Sequence, residues 1–194
     1  MGKPNYRLTL VLVAGLVVFA GCDNPTGSKD ASSDEDTPGS SEWTWMSGNS
    51  IANLSGSYGA TGAAYPSNRP GARDGAVSWR DDGGDLWLFG GEGYDSGGSE
   101  RVLNDLWRFD GTAWTWVSGS ATGGEAGSYG TKSVPDGANV PGARSNAVSW
   151  RDDGGDLWLF GGVGLDGSGT GGVLNDLWRF DGTAWTWVSG SATG

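Results

Sequence analysis

The chain is 194 residues long, room for one domain and a tail, and combines 38 glycines and 12 tryptophans with one cysteine and no histidine. Without histidine, neither a Ser-His-Asp triad nor a histidine-bound metal can be assembled. A formal net charge of −11 with no lysine–arginine cluster excludes a surface that tracks nucleic-acid phosphates. The tryptophans lie in short apolar runs between turn residues, whereas disordered glycine-rich chains are poor in aromatics.

At the N-terminus, Lys3 and Arg7 precede an uncharged apolar run from Leu8 to Ala20, shorter than the about 20 residues a membrane-spanning helix needs. With the small residues Ala20 and Gly21 after it, this segment reads as a secretory signal peptide over 1–21. Cys22 follows, and as the sole cysteine it can form no internal disulfide. Phe19-Ala20-Gly21-Cys22 resembles the lipobox of bacterial lipoproteins, with Phe19 where leucine is usual. The resemblance implies cleavage before Cys22, lipidation of its thiol, and anchoring to an inner or outer bacterial membrane in the cell envelope. Residues 22–41 hold almost nothing that could be buried and read as a flexible acidic tether; Asp34-Glu35-Asp36 within it is a solvated spacer.

From residue 42 onward the chain repeats itself. Trp43-Thr44-Trp45 recurs as Trp114-Thr115-Trp116 and as Trp185-Thr186-Trp187, each 71 residues after the last. AVSWRDDGGDLWLFGG occupies 76–91 and 147–162, and VLNDLWRFDGTAWTWVSGSATG occupies 102–123 and 173–194. Each repeat predicts four strands: 76–79, 85–89, 103–109 and 114–117 in the first copy. The first two are joined by the hairpin signal Asp81-Asp82-Gly83-Gly84, the last two by Asp110-Gly111. In 85–89 both strand faces are apolar, which predicts burial on both sides. A further strand is expected at Glu42 to Met46, within an orphan segment 42–48.

A strand, a Gly-Gly pair, a later strand ending in an aromatic, and then a tryptophan together resemble the kelch repeat. The resemblance covers 42–194 and implies an all-β chain: a partial kelch-type β-propeller of two four-stranded antiparallel blades, about 72–118 and 143–189, plus the orphan strand. Either Trp114 or Trp116 is then the blade-packing tryptophan. The 71-residue period exceeds the ~50 of kelch repeats. Because a closed propeller needs about four to eight blades, the sequence reads as a fragment of a longer product, or as a short form that assembles from several chains. Outer faces left without partners would invite self-association.

Successive connections in such a blade alternate between its ends. The turns at 81–85 and 110–113 are unchanged at 152–156 and 181–184, whereas 49–69 differs from 120–140 and 92–101 from 163–172. One end therefore varies over a constant framework, as a binding scaffold would. Tyr58, Tyr94, Asp95, Tyr129 and Asp166 in these loops are the candidate ligand contacts. No catalytic residue, metal or cofactor is expected. Asp81, Asp82 and Asp85 lack the alternation of a calcium loop and are explained by the hairpin turn, and the histidine ligands of copper oxidases with kelch-like blades are missing. The sequence thus reads as a non-enzymatic, membrane-anchored envelope lipoprotein binding a protein or glycan. The alternative is a fragment of an envelope glycan hydrolase with its catalytic residues elsewhere.

Overall fold

The computed structural model describes residues 9–13, 16–20 and 42–193, with side chains described for 42–193. The chain separates into two units, 1–48 and 49–194. In the first, β1 (Thr9–Val13) and β2 (Leu16–Ala20) pair as an antiparallel hairpin, from Thr9 opposite Ala20 to Val13 opposite Leu16. Cys22, the tether and the cleavage point assigned to the signal peptide lie outside the described residues.

Residues 42–48, expected as a strand, form none, and Trp43 and Trp45 are exposed. The equivalent segments after residues 113 and 184 become strands because a partner strand of sequence LWRF precedes each of them. No such sequence stands ahead of residue 42.

The second unit is all-β and antiparallel, with no helix among the described residues. Its strands are β3 (Ala64–Tyr65), β4 (Arg73–Asp74), β5 (Val77–Arg80), β6 (Leu86–Phe89), β7 (Glu92–Tyr94), β8 (Glu100–Val102), β9 (Leu106–Phe109) and β10 (Trp114–Ser118) in the first repeat. The second repeat supplies β11 (Arg144–Ser145), β12 (Val148–Arg151), β13 (Leu157–Phe160), β14 (Val163–Leu165), β15 (Gly171–Val173), β16 (Leu177–Phe180) and β17 (Trp185–Ser189). Sheet I runs β3-β10-β9-β6-β5 and sheet II runs β12-β13-β16-β17. The four strands expected in each repeat are therefore present and in order: the second and third start later, the first is shifted by one residue, and the fourth is one residue longer.

Two smaller sheets were not anticipated: β4-β7-β8 and β11-β14-β15. Each is a short hairpin, inserted between the second and third main strands, that captures the two residues upstream of the first. The close approach requires glycine, since a Cβ at Gly71 would collide with the Tyr94 carbonyl and one at Gly142 with that of Leu165.

Period-two alternation sorts the side chains of each main sheet onto two faces. Val77, Trp79, Trp87, Phe89 and Leu106 of sheet I pack with Leu157, Leu159, Trp178, Phe180 and Trp185 of sheet II in one buried cluster. Trp87 meets Phe180 at 5.6 Å between ring centroids, Phe89 meets Trp185 at 5.5 Å, and Trp79 Nε1 donates to the Trp158 carbonyl at 3.3 Å. Backbone bonds reinforce the contact, with Gly91 N donating to Arg144 O and Arg144 N to Leu103 O. Of the tryptophans left open by the sequence, Trp114 and its counterpart Trp185 are fully buried, while Trp116 and Trp187 are half-buried.

Candidate functional site

Sequence differences between the repeats concentrate on the β7–β8 and β14–β15 hairpins and the segments beside them, so the site is built there. Each hairpin turns on an aspartate. Asp95 is buried at 4 % exposure and accepts from the amides of Gly97 and Ser99 at 2.9 Å each, and from Gly123 N at 3.2 Å. Burial raises its pKa, but these amide donors outweigh burial and hold the carboxyl below the ordinary range. Asp166 does the same work in the second hairpin, accepting from Ser168 N and Thr170 N at 2.8 and 2.9 Å.

The hairpins meet the inter-repeat segments, as the alternation of connections requires. Ser96 N donates to Ala121 O, Gly124 N to Val102 O, and Gly167 N to Ala192 O. At the other end, Arg108 Nε of β9 lies 3.6 Å from Asp85 Oδ2, which ties that strand to the constant turn at 81–85.

Beneath each hairpin is a buried polar cluster, and it fixes the hairpin to the main sheet. Arg73, on β4, forks onto Asp105, just ahead of β9, with Nη1–Oδ1 and Nη2–Oδ2 at 2.6 and 2.7 Å. Its remaining donors reach the carbonyls of Gly71 and Gly90. Tyr58 Oη and Trp107 Nε1 both donate to Asp105 Oδ2 at 2.7 Å. The second repeat reproduces the set with Arg144, Asp176, Tyr129 and Trp178, at 2.6 to 2.7 Å throughout. Both arginine and aspartate side chains are at most 1 % exposed in each copy.

Such a pair is tolerable without water because every partner is satisfied in a bidentate geometry. Burial disfavours the charged guanidinium of Arg73, yet the adjoining Asp105 carboxylate outweighs this and holds its pKa above the usual value. Burial likewise opposes the Asp176 carboxylate, but Arg144, Tyr129 and Trp178 together keep its pKa low. The phenols respond in the opposite direction: burial and the neighbouring carboxylate push both Tyr58 and Tyr129 well above 10.0.

This geometry places four of the five expected ligand contacts, Tyr58, Asp95, Tyr129 and Asp166, among buried residues. Tyr58 and Tyr129 are 6 % and 8 % exposed, with their rings packed on Trp107 and Trp116, and on Trp178 and Trp187. Asp95 and Asp166 spend their carboxylates on the hairpin turns. Each of the four hydrogen-bonds within the framework that carries the loops. Tyr94 alone is half-buried, opposite Glu100 in the β7–β8 ladder.

The segments 92–101 and 163–172, read from the sequence as variable, place several differing positions at the surface. Glu92, Glu100 and Arg101 are exposed in the first and are replaced by Val163, Gly171 and Gly172, also exposed, in the second. Alignment of the two repeats gave these segments, but not which of their side chains are exposed. Among the described residues, no group of three or more acidic or cysteine side chains is placed to hold a metal ion.

No family model matches the chain, and no curated protein matches it. A solved structure titled "Structure of YjhT" is similar at 19 % identity with a TM-score of 0.45, covering 64 % of this chain. This chain spans 40 % of that protein's length.

Proposed function

We propose that this chain is a lipid-anchored envelope protein, held through Cys22, whose repeats are kelch-type propeller blades. Its hairpin-bearing end binds a protein or glycan and catalyses no reaction. The observation that carries this reading is the contrast between lock and loop. The Arg–Asp–Tyr–Trp cluster recurs atom for atom, within 0.1 Å at Tyr–Asp, Arg–Asp and Trp–Asp. Above it, Glu92, Glu100 and Arg101 give way to Val163, Gly171 and Gly172. An anchored framework that holds position while its exposed chemistry changes is how binding surfaces are carried on rigid scaffolds. The stacking of Phe89 on Trp185 and Trp87 on Phe180 supports the blade reading, since repeats of this kind gain stability from their interfaces.

Site-specific photo-crosslinking on the full chain in the bacterial envelope tests the reading. A probe at Glu100 or Arg101 should capture a protein or glycan, while one at Thr112, on an exposed turn at the constant end, should not. Equal capture at both ends, or none from the hairpin, contradicts it. The anchor is tested separately: Cys22→Ser should leave the membrane fraction and lose its lipid label, and a variant that stays membrane-bound would sink the lipobox assignment.

A further inference from the structure

The last main strand of each repeat carries a second tryptophan, Trp116 in β10 and Trp187 in β17, and the two indoles are held alike. Each indole nitrogen donates to a carbonyl of its own strand, Trp116 Nε1 to Ser118 O at 2.9 Å and Trp187 Nε1 to Ser189 O at 2.8 Å. A tyrosine ring stands edge-on to each, Tyr58 at 5.2 Å and Tyr129 at 5.3 Å between centroids. The segment upstream of each main sheet is tied beside the indole by the same backbone bond, Gly62 N to Trp116 O and Ser133 N to Trp187 O. What differs is the residue just before that bond. In the second repeat it is Lys132, whose ammonium lies 5.1 Å from the centre of the Trp187 ring. In the first it is Thr61, and among the described residues the cations that lie over aromatic rings are Arg108, on Trp87, and Lys132.

We propose that the Trp116 ring is a binding site for a lysine side chain of a partner protein, its ammonium taking the place over the indole that Lys132 takes over Trp187. The occupant is read from the second repeat, where the same indole in the same setting already holds a lysine. An ammonium over an indole face is drawn by the ring quadrupole, and tryptophan is the strongest aromatic side chain in this role. The methyl and hydroxyl of Thr61 supply no such charge. A neighbouring position changes in the same sense. Asp136, bridged to Trp185 in the second repeat, is replaced in the first by Tyr65, which pairs with Trp114 and is 47 % exposed. Two-residue alternation puts Tyr65 on the same side of the ladder as Trp116. Its ring Cδ2 lies 3.3 Å from where a Cβ on Gly59 would stand, next to Tyr58 in the chain. The repeat without its own cation therefore adds a tyrosine beside the tryptophan, and aromatic rings set together in this way hold ammonium groups. The net charge of −11 adds a long-range attraction for a basic partner. The site lies along β10 and not on the β7–β8 hairpin, so the inference does not rest on the binding function proposed above.

Titration of the full chain in detergent micelles with Nα-acetyl-lysine methylamide, followed by NMR of the indole N–H groups, tests it. The Trp116 and Trp187 resonances are assigned by their loss in Trp116→Phe and Trp187→Phe. The Trp116 resonance should shift saturably, and acetylating the side-chain amine of the probe should weaken binding by about two- to fivefold, the loss of one exposed cation–π contact. Thr61→Lys, at an exposed position, should fill the site from within the chain and abolish the shift. Lys132→Ala should free the second ring, so that the Trp187 resonance responds to the same probe. A Trp116 resonance that does not move, that moves equally with the acetylated probe, or that still moves in Thr61→Lys overturns the proposal, as does a silent Trp187 in Lys132→Ala. Tighter binding of glycerophosphoethanolamine would assign the site to a lipid headgroup and overturn it as well.

Discussion

Phe89 meets Trp185 edge to face at 5.5 Å, and the contact ties the second strand of one repeat to the last strand of the next. Phe160 occupies the same place in an identical strand and has no such neighbour. Phe89 is 1 % exposed and Phe160 43 %. Two side chains of equal chemistry thus do unequal work, and the difference is set by which sheet has a neighbour.

That inequality predicts a paired result. Phe89→Ala should destabilise the fold by about 3–5 kcal/mol, since it empties a packed site. Phe160→Ala should cost under about 1 kcal/mol in dilute chain, as a largely exposed substitution does. Denaturant melts of the two variants check this, and equal losses would contradict the stacking of sheet I on sheet II.

The buried clusters make a second demand. Removing one partner of a buried ion pair leaves an uncompensated charge and typically costs about 3–5 kcal/mol. Asp176→Ala and Arg144→Ala should each lose about that much, and the double variant should lose less than the sum. Arg144→Lys should not rescue, because an ammonium cannot reproduce the two parallel bonds to Asp176 and the reach to Gly142 O and Gly161 O. Additive losses in the double variant would show that the pair does not act as a unit.

The same clusters set the alkaline limit. Tyr58 and Tyr129 are held protonated well above 10.0, by burial and by the adjoining carboxylates. In the unfolded chain they ionise near 10.0. A folded pKa raised in this way contributes stability that is full below pH 10 and is lost as pH rises further. Stability should therefore fall steeply above pH 10, and the Tyr58→Phe, Tyr129→Phe double variant should fall less steeply. Identical slopes for the two proteins would contradict the placement of the phenols.

At the acid limit the sign reverses. Asp176 is held below its ordinary 3.8 because Arg144 and the tyrosine and tryptophan donors overcome its burial. Its stabilising contribution is present above that value and is lost as pH falls through the lowered one. Acid unfolding followed by tryptophan fluorescence should begin below about pH 4, and Asp176→Asn should be less stable at neutral pH with a shallower acid slope. An unchanged slope would remove Asp176 from the cause.

The four main strands of each repeat were legible because aromatic runs bounded by Asp-Gly and Gly-Gly leave little choice of boundary. Trp87 and Phe89 could be placed in an interface from the apolar character of both strand faces. The small sheets were not legible: β4 is two residues long, and β14 and β15 are rich in valine and glycine with no alternation to read. The Arg144–Asp176 pair, 32 residues apart, gives no local signal at all. The burial of Tyr58 and Tyr129 was not legible, because a tyrosine in a glycine-rich loop looks like a surface residue. The clue lay in Gly56-Ser57-Tyr58-Gly59 and Gly127-Ser128-Tyr129-Gly130, identical tetrapeptides inside segments that otherwise diverge. A side chain held constant within a varying loop belongs to the framework.

The stacking of the two sheets is tested most directly by a double-mutant cycle between Phe89 and Trp185, using alanine at each and reading unfolding free energies. Edge-to-face packing across the interface predicts a coupling of about 0.5–1.5 kcal/mol. A coupling indistinguishable from zero, with both single variants folded, would mean that these residues do not meet and that the sheets do not stack through this face.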